Sequence, residues 1–179
     1  MSNDESWKEK WQATIAAVGR DFSDGSITWG ADKVEPGIVR RYCEPLELGS
    51  PIHHDRDYAQ SLGYEDIVAP ATAGFTIPPM WAPGEPPLFD DPARNAQPTR
   101  SPILGSRNGL MPVTEGFFAT DIEADFIRPV VTGERLGSRG NRLVSCVLKE
   151  TSVGRGAFLM FESEVVSDRG DVVGRRRIG

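Results

Sequence analysis

From residue 116 to the end, the chain reads as strands joined by turns, and that pattern leaves few folds open. Phe118, Thr120, Ile122, Ala124 and Phe126 alternate with Asp121, Glu123 and Asp125, the period-two signature of a half-buried strand. Arg128-Pro129 and Thr132-Gly133 interrupt it. Arg135–Thr151 forms a second strand region, apolar on both faces around Leu143, Val144, Cys146 and Val147. A turn at Val153-Gly154-Arg155-Gly156 leads to a third strand, Ala157–Ser167. Asp168-Arg169-Gly170-Asp171 is a hairpin turn before a last strand, Val172–Arg177. Tight turns between successive strands dictate antiparallel pairing.

The first half is helical by contrast. Trp7, Trp11, Ile15 and Val18 fall on one face of a predicted helix over 5–19 that Gly19 ends. A short strand is expected around Ile27-Thr28-Trp29. A second helix runs from Glu35 to Glu44, with Pro36 in its first turn and Val34, Ile38, Tyr42 and Leu46 as its stripe, widened by Val39 and Cys43. Arg40 and Arg41 point away from that face, into solvent or toward an anionic substrate. Asp55 caps a helix over Arg56–Leu62 that stops at Gly63. Pro70 fits the first turn of a further helix through Ala71–Ile77, ended by Pro78-Pro79. Helices first and a meander after give an α+β layout, a sheet with a helix laid on one face.

A chain of 179 residues suits one domain. Residues 1–33 read as an N-terminal extension. Residues 78–112 hold nine of the fourteen prolines and read as an insertion: a lid, a partner-binding arm or a floppy loop. No apolar run nears the ~20 residues of a membrane span, and the polar start, MSNDESWKEKWQ, lacks a secretory signal core. Two cysteines without a CxxC spacing argue against a disulfide scaffold or zinc ribbon and for a reducing cytoplasm. A net charge of -6 argues against nucleic acid as partner. Arg175-Arg176-Arg177 reads as a solvated strand end, and no Gly-rich phosphate loop is present.

Both histidines of the chain, His53 and His54, lie side by side after the turn Gly49-Ser50-Pro51. Chemistry near neutrality must draw on them, on a shifted carboxylate, or on Cys43 and Cys146.

Four pieces of sequence resemble the MaoC-like dehydratases, most closely their N-terminal, FAS1-like dehydratase domain. They are Pro51-Ile52-His53 with Ala59, Tyr64 with Val68-Ala69-Pro70, Phe126-Ile127-Arg128-Pro129-Val130 with Gly133, and Gly170-Asp171-Val172-Val173. The resemblance spans about Val34 to Gly174 and implies a hotdog fold, a curved antiparallel sheet wrapped around a central helix. It implies reversible addition of water to a 2-enoyl thioester, carried by CoA or an acyl carrier protein, with no metal or redox cofactor. Active members carry G-D-x-N-P-[LI]-H, whose histidine handles one proton while the aspartate helps activate water. Here the histidine falls on His53, but Ser50 replaces the asparagine and Leu48 the aspartate. Glu47, His54 or Asp55 would have to stand in, or a second MaoC-like subunit would supply the group. The bland readings are a relic His53 that hydrogen-bonds a subunit interface, a solvated Glu47, a structural His54 that is exposed or paired with Asp57, and Asp55 as a helix cap. Ala69, Pro70, Thr72 and Gly74 open the implied central helix, where backbone N–H groups can polarise a thioester carbonyl; simple close packing is the other reading. The expected protein is a hydratase subunit working as a homodimer or heteromer. The alternatives are a non-catalytic half that shapes a partner's acyl pocket and, more distantly, a hotdog thioesterase.

Overall fold

The C-terminal strands form as their pattern predicts. The computed structural model describes residues 6–87, 111–112, 114 and 119–179. Five strands make one antiparallel sheet in the order β1-β3-β4-β5-β2: β1 (Ile27–Lys33), β2 (Ile122–Phe126), β3 (Arg135–Thr151), β4 (Gly154–Ser167) and β5 (Val172–Ile178). The long ribbon β3–β4 pairs from Leu136↔Ser167 to Thr151↔Gly154. Register shifts between Arg139 and Arg142, and between Leu143 and Ser145, bend it. The hairpin into β5 turns through Gly170, whose positive φ of 95° favours glycine.

Strand β2 departs from the half-buried expectation. All five residues are exposed, and the part of the predicted strand over 115–118 lies outside the described residues. Its acidic face is satisfied within the sheet: Arg177 Nη2 donates to Asp125 at 2.8 Å and Arg177 Nε to Glu162 at 2.9 Å. The three terminal arginines are therefore not uniformly solvated. Arg177 is ion-paired, and Arg176 lies half-buried, with its Nε enclosed and unbonded.

The N-terminal helix is broken in two, α1 (Ser6–Glu9) and α2 (Gln12–Ala16). Its stripe is buried only in part. Trp11 is enclosed, whereas Val18 is exposed, because the chain turns at Gly19, whose N–H donates to Leu143 O on β3. Helix α3 (Pro36–Cys43) begins on Pro36 as expected. It buries Val39 and Cys43, while Ile38 and Leu46 face out. Helix α4 (Arg56–Ser61) has its predicted cap, the Asp55 carboxylate accepting the Tyr58 N–H at 3.0 Å. Gly63 ends it with a positive φ of 91°.

The expected helix over Ala71–Ile77 does not form; the segment runs as turns. Its backbone is used by β1 instead. Ala31 N–H donates to Ile77 O at 2.9 Å, and Phe75 O presses so closely on Gly30 that a Cβ there would lie 2.4 Å away. Helix α3 packs on the sheet: Val34, Val39, Cys43, Ala69, Leu136 and Val173 form one buried cluster. The Pro-rich stretch lies largely outside the described residues, so the three readings of it stand as they were.

Candidate active site around His53

His53 closes a 3-10 turn, Pro51–His53, that Pro51 starts without loss of a needed N–H. The turn is sewn to the segment leading to Pro70. Val68 N–H donates to Ile52 O at 3.0 Å, and the His53 ring returns the contact, Nδ1 lying 2.7 Å from Val68 O. A carbonyl can only accept, so Nδ1 carries the proton and the neutral ring keeps its lone pair on Nε2. His53 is half-buried, and Ala69 and Pro70, one and two residues beyond its anchor, are buried. The structure thus brings His53 beside the segment that carries Ala69-Pro70.

The other candidates are placed differently. His54 is exposed and spends Nε2–H on Leu48 O at 2.6 Å. Its ring stands 6.5 Å from that of His53, at 84°. Of the two structural readings of His54, exposed or paired with Asp57, the exposed one holds, and a backbone contact clasps the turn. Glu47 sits in the left-handed region, with φ of 52°, and is exposed. Leu48 is turned inward and packs on the buried cluster of α3 and the sheet. The residue at the aspartate position thus belongs to the core, and Asp55 is occupied as a cap. Thr72 Oγ1 accepts the Tyr42 hydroxyl at 2.7 Å, tying the turn to α3. Gly74 is exposed and loosely surrounded. With no helix at this point, no helix N-terminus gathers N–H groups here. Ala69 N–H is already given to Val130 O and Ala73 N–H to Pro70 O. Burial pushes both thiols, Cys43 and Cys146, up and away from thiolate chemistry.

One charged group escaped the reading of the sequence. Glu134 has a fully buried side chain. It receives Arg128 Nη1 at 3.1 Å, Arg128 Nη2 at 2.8 Å, the Ser167 hydroxyl at 2.7 Å and Val131 N–H at 2.9 Å. Burial alone would raise its pKa. The hydrogen bonds from Arg128, Ser167 and Val131 outweigh that and hold it below the usual carboxylate range. Arg128 also grips Asp171 in the last hairpin, likewise lowering that carboxyl. Arg128, Glu134 and Asp171, with Gly63, Tyr64 and Arg169, line a depression of about 430 Å³ that does not include His53. No local pattern marked it: the burial of Val131, Thr132 and Leu136 around Glu134, which demands a partner for the acid, comes only with the fold. The family motif as quoted stops one residue short of it.

Among the described residues no three His, Cys, Asp or Glu side chains converge as a metal site would require, and no helix is long and apolar enough to cross a membrane.

Comparison with known proteins agrees with this architecture. Residues 16–176 match the model of the FAS1-like, dehydratase domain region. The chain is 26% identical over 175 residues to a probable enoyl-CoA hydratase alpha subunit of Thermomonospora curvata, covering 97% of this chain and 50% of that protein. It thus spans about half the length of the curated relative it matches. Among solved structures, it superposes on a chain of the ChsH1-ChsH2 complex from Mycobacterium tuberculosis with a TM-score of 0.58 at 21% identity, covering 97% and 93% of the two chains. A MaoC-like dehydratase gives a TM-score of 0.54 at 20% identity, over 91% of this chain and 41% of the other. These likenesses carry the fold, and the match over 16–176 carries the family: this chain belongs to the FAS1-like dehydratase domain region, a MaoC-like hydratase/dehydratase family of hotdog fold.

Proposed function

We propose that this chain is one subunit of a hydratase acting on 2-enoyl thioesters, and that it contributes His53 to a site completed by a second MaoC-like subunit. The observation that carries the reading is the His53 ring, held through Nδ1–H on Val68 O with its lone pair on Nε2. In the proposed reaction Nε2 takes a proton from the attacking water as the water oxygen bonds C3. A second group, at the family's aspartate position, helps activate that water, and the proton taken from it passes to C2. Leu48 cannot be that group, since it can neither take a proton nor orient a water and is packed inward, so a partner's carboxyl supplies it. The match to a protein described as an alpha subunit, and the fold shared with a chain of a two-component complex, support the need for a partner.

A second reading is favoured by Leu48 itself. A core leucine at the aspartate position suits a non-catalytic half that shapes the acyl pocket of an active partner. The test is to assay the purified chain alone, and mixed with any co-encoded MaoC-like chain, on crotonyl-CoA and longer or branched enoyl-CoAs. The mixture is expected to be active and His53→Ala to lower its rate by about 10²-fold or more. Hydration by the mixture that survives His53→Ala favours the non-catalytic half. Full activity of the chain as a homodimer overturns the partner requirement.

A further inference from the structure

Between Glu134 and the His53 ring run two layers of backbone. Val131 faces Val68 in an isolated antiparallel bridge. Its two flanking bonds are Ala69 N–H to Val130 O at 2.8 Å and Thr132 N–H to Ile67 O at 2.9 Å. In antiparallel pairing the bonded groups alternate from side to side. The polar groups of Val131 therefore point away from Val68, and those of Val68 point away from Val131. Val131 N–H meets Glu134 Oε1 at 2.9 Å. On the far side, Val68 N–H meets Ile52 O at 3.0 Å and Val68 O meets His53 Nδ1 at 2.7 Å. The carboxylate and the imidazole thus grip opposite edges of one small ladder.

We propose that Glu134 is a positioning residue for His53: by fixing Val131 it fixes the place and plane of the Val68 carbonyl, and through that carbonyl the orientation and tautomer of the ring. The proposal rests on the reading of His53 as the proton-handling group, but its structural content stands apart from catalysis. Glu134 suits the task because four donors converge on it: two guanidinium N–H groups, a hydroxyl and a backbone N–H. An ionised carboxylate is acceptor-only and satisfies them all. Arg128 and Ser167 anchor it in turn to the last hairpin and to the end of β4, so the ladder is held from the sheet. Displacing a catalytic group by about 1 Å can cost on the order of 10²-fold in rate.

Glu134→Gln tests this with little change of volume. The amide keeps one acceptor oxygen and turns an NH2 toward at least one of the four donors. The readout is ring ¹⁵N NMR of the full chain, in which only two histidines contribute. His54, bonded to Leu48 O outside the ladder, is the internal reference. His53 is expected to lose its Nδ1–H pattern and move toward mixed tautomers, with His54 unmoved. Ser167→Ala, which removes one donor and leaves the charge, should move His53 the same way by less. In the active assembly, Glu134→Gln should lower kcat about tenfold or more, with KM changed by less than about threefold. Unmoved His53 ring shifts in Glu134→Gln overturn the proposal; if that variant does not fold, unmoved shifts in both Ser167→Ala and Arg128→Lys do so. Should no assembly of the wild-type chain hydrate any enoyl thioester, the functional reading fails while the NMR result still decides the positioning role.

Discussion

Replacing Arg128 by alanine strips the guanidinium from a carboxylate whose side chain is fully buried. Removing one partner of a buried pair costs about 3–5 kcal/mol when the other charge is left bare. Glu134 is not left bare, because the Ser167 hydroxyl and Val131 N–H remain. Asp171, the other partner, is half exposed and can turn to water. The expected loss is therefore about 2–3 kcal/mol, a fall in Tm of roughly 5–10 °C for a chain of this size. Urea titration measures it, with the slope m required to match the parent. The pH dependence carries a second check. With Arg128 present, Glu134 titrates below its ordinary value. Without it, burial dominates and the folded-state pKa rises above the unfolded one. A raised acid favours the folded state when protonated and disfavours it as pH climbs, so the deficit should be smaller at pH 5 than at pH 8. A loss under about 1 kcal/mol that is equal at both pH values would refute the view of Glu134–Arg128 as a strained-for, buried pair.

In the parent protein the sign is opposite. Burial opposes the charge on Glu134, but Arg128 and its other donors lower the pKa, and the Arg128 hydrogen bond lowers that of Asp171. Both contribute stability that is complete well above their unfolded values and is lost as pH falls through the folded ones, so the urea midpoint should drop below about pH 5; Glu134→Gln should flatten that limb. Asp55→Ala removes the cap on Tyr58 N–H and should cost about 1 kcal/mol in the same titration, without altering the β3–β4 amide signals. Leu48→Asp places a carboxylate where a side chain packs on the core and should destabilise by about 1–3 kcal/mol. If the missing aspartate is what withholds activity from the lone chain, it should also create measurable crotonyl-CoA hydration; a folded variant with no activity, alone or with His53 intact, would count against that explanation.

The sequence by itself determined the elements whose instructions are local. Period-two runs and turn residues placed β3, β4 and β5 within a few residues of their observed ends. Asp55 and Gly63 bounded α4 because a cap and a left-handed stop act over one helical turn. The family pieces singled out His53 and Val68-Ala69-Pro70 separately; that the two meet, through the 2.7 Å contact of His53 Nδ1 with Val68 O, came only with the fold. Tertiary structure decided the rest. Ala71–Ile77 is too short, and too rich in proline at its borders, to hold a helix without packing; Ala31 N–H on β1 captured its backbone. Of the predicted stripe, Val34, Val39 and Cys43 are buried while Ile38 and Leu46 face out, because the sheet chose which part of that face to cover. Strand β2 alternates as a buried strand would, yet burial depends on a covering layer, which no local pattern encodes. Leu48 was legible as a missing aspartate, but its inward packing came only with the core. The Glu134 cluster joins residues 128, 134, 167 and 171 across two turns of the sheet. Each looked like an ordinary surface charge or hydroxyl until the strands brought them together, since a hydrogen bond is a relation in space that residue spacing along the chain does not record.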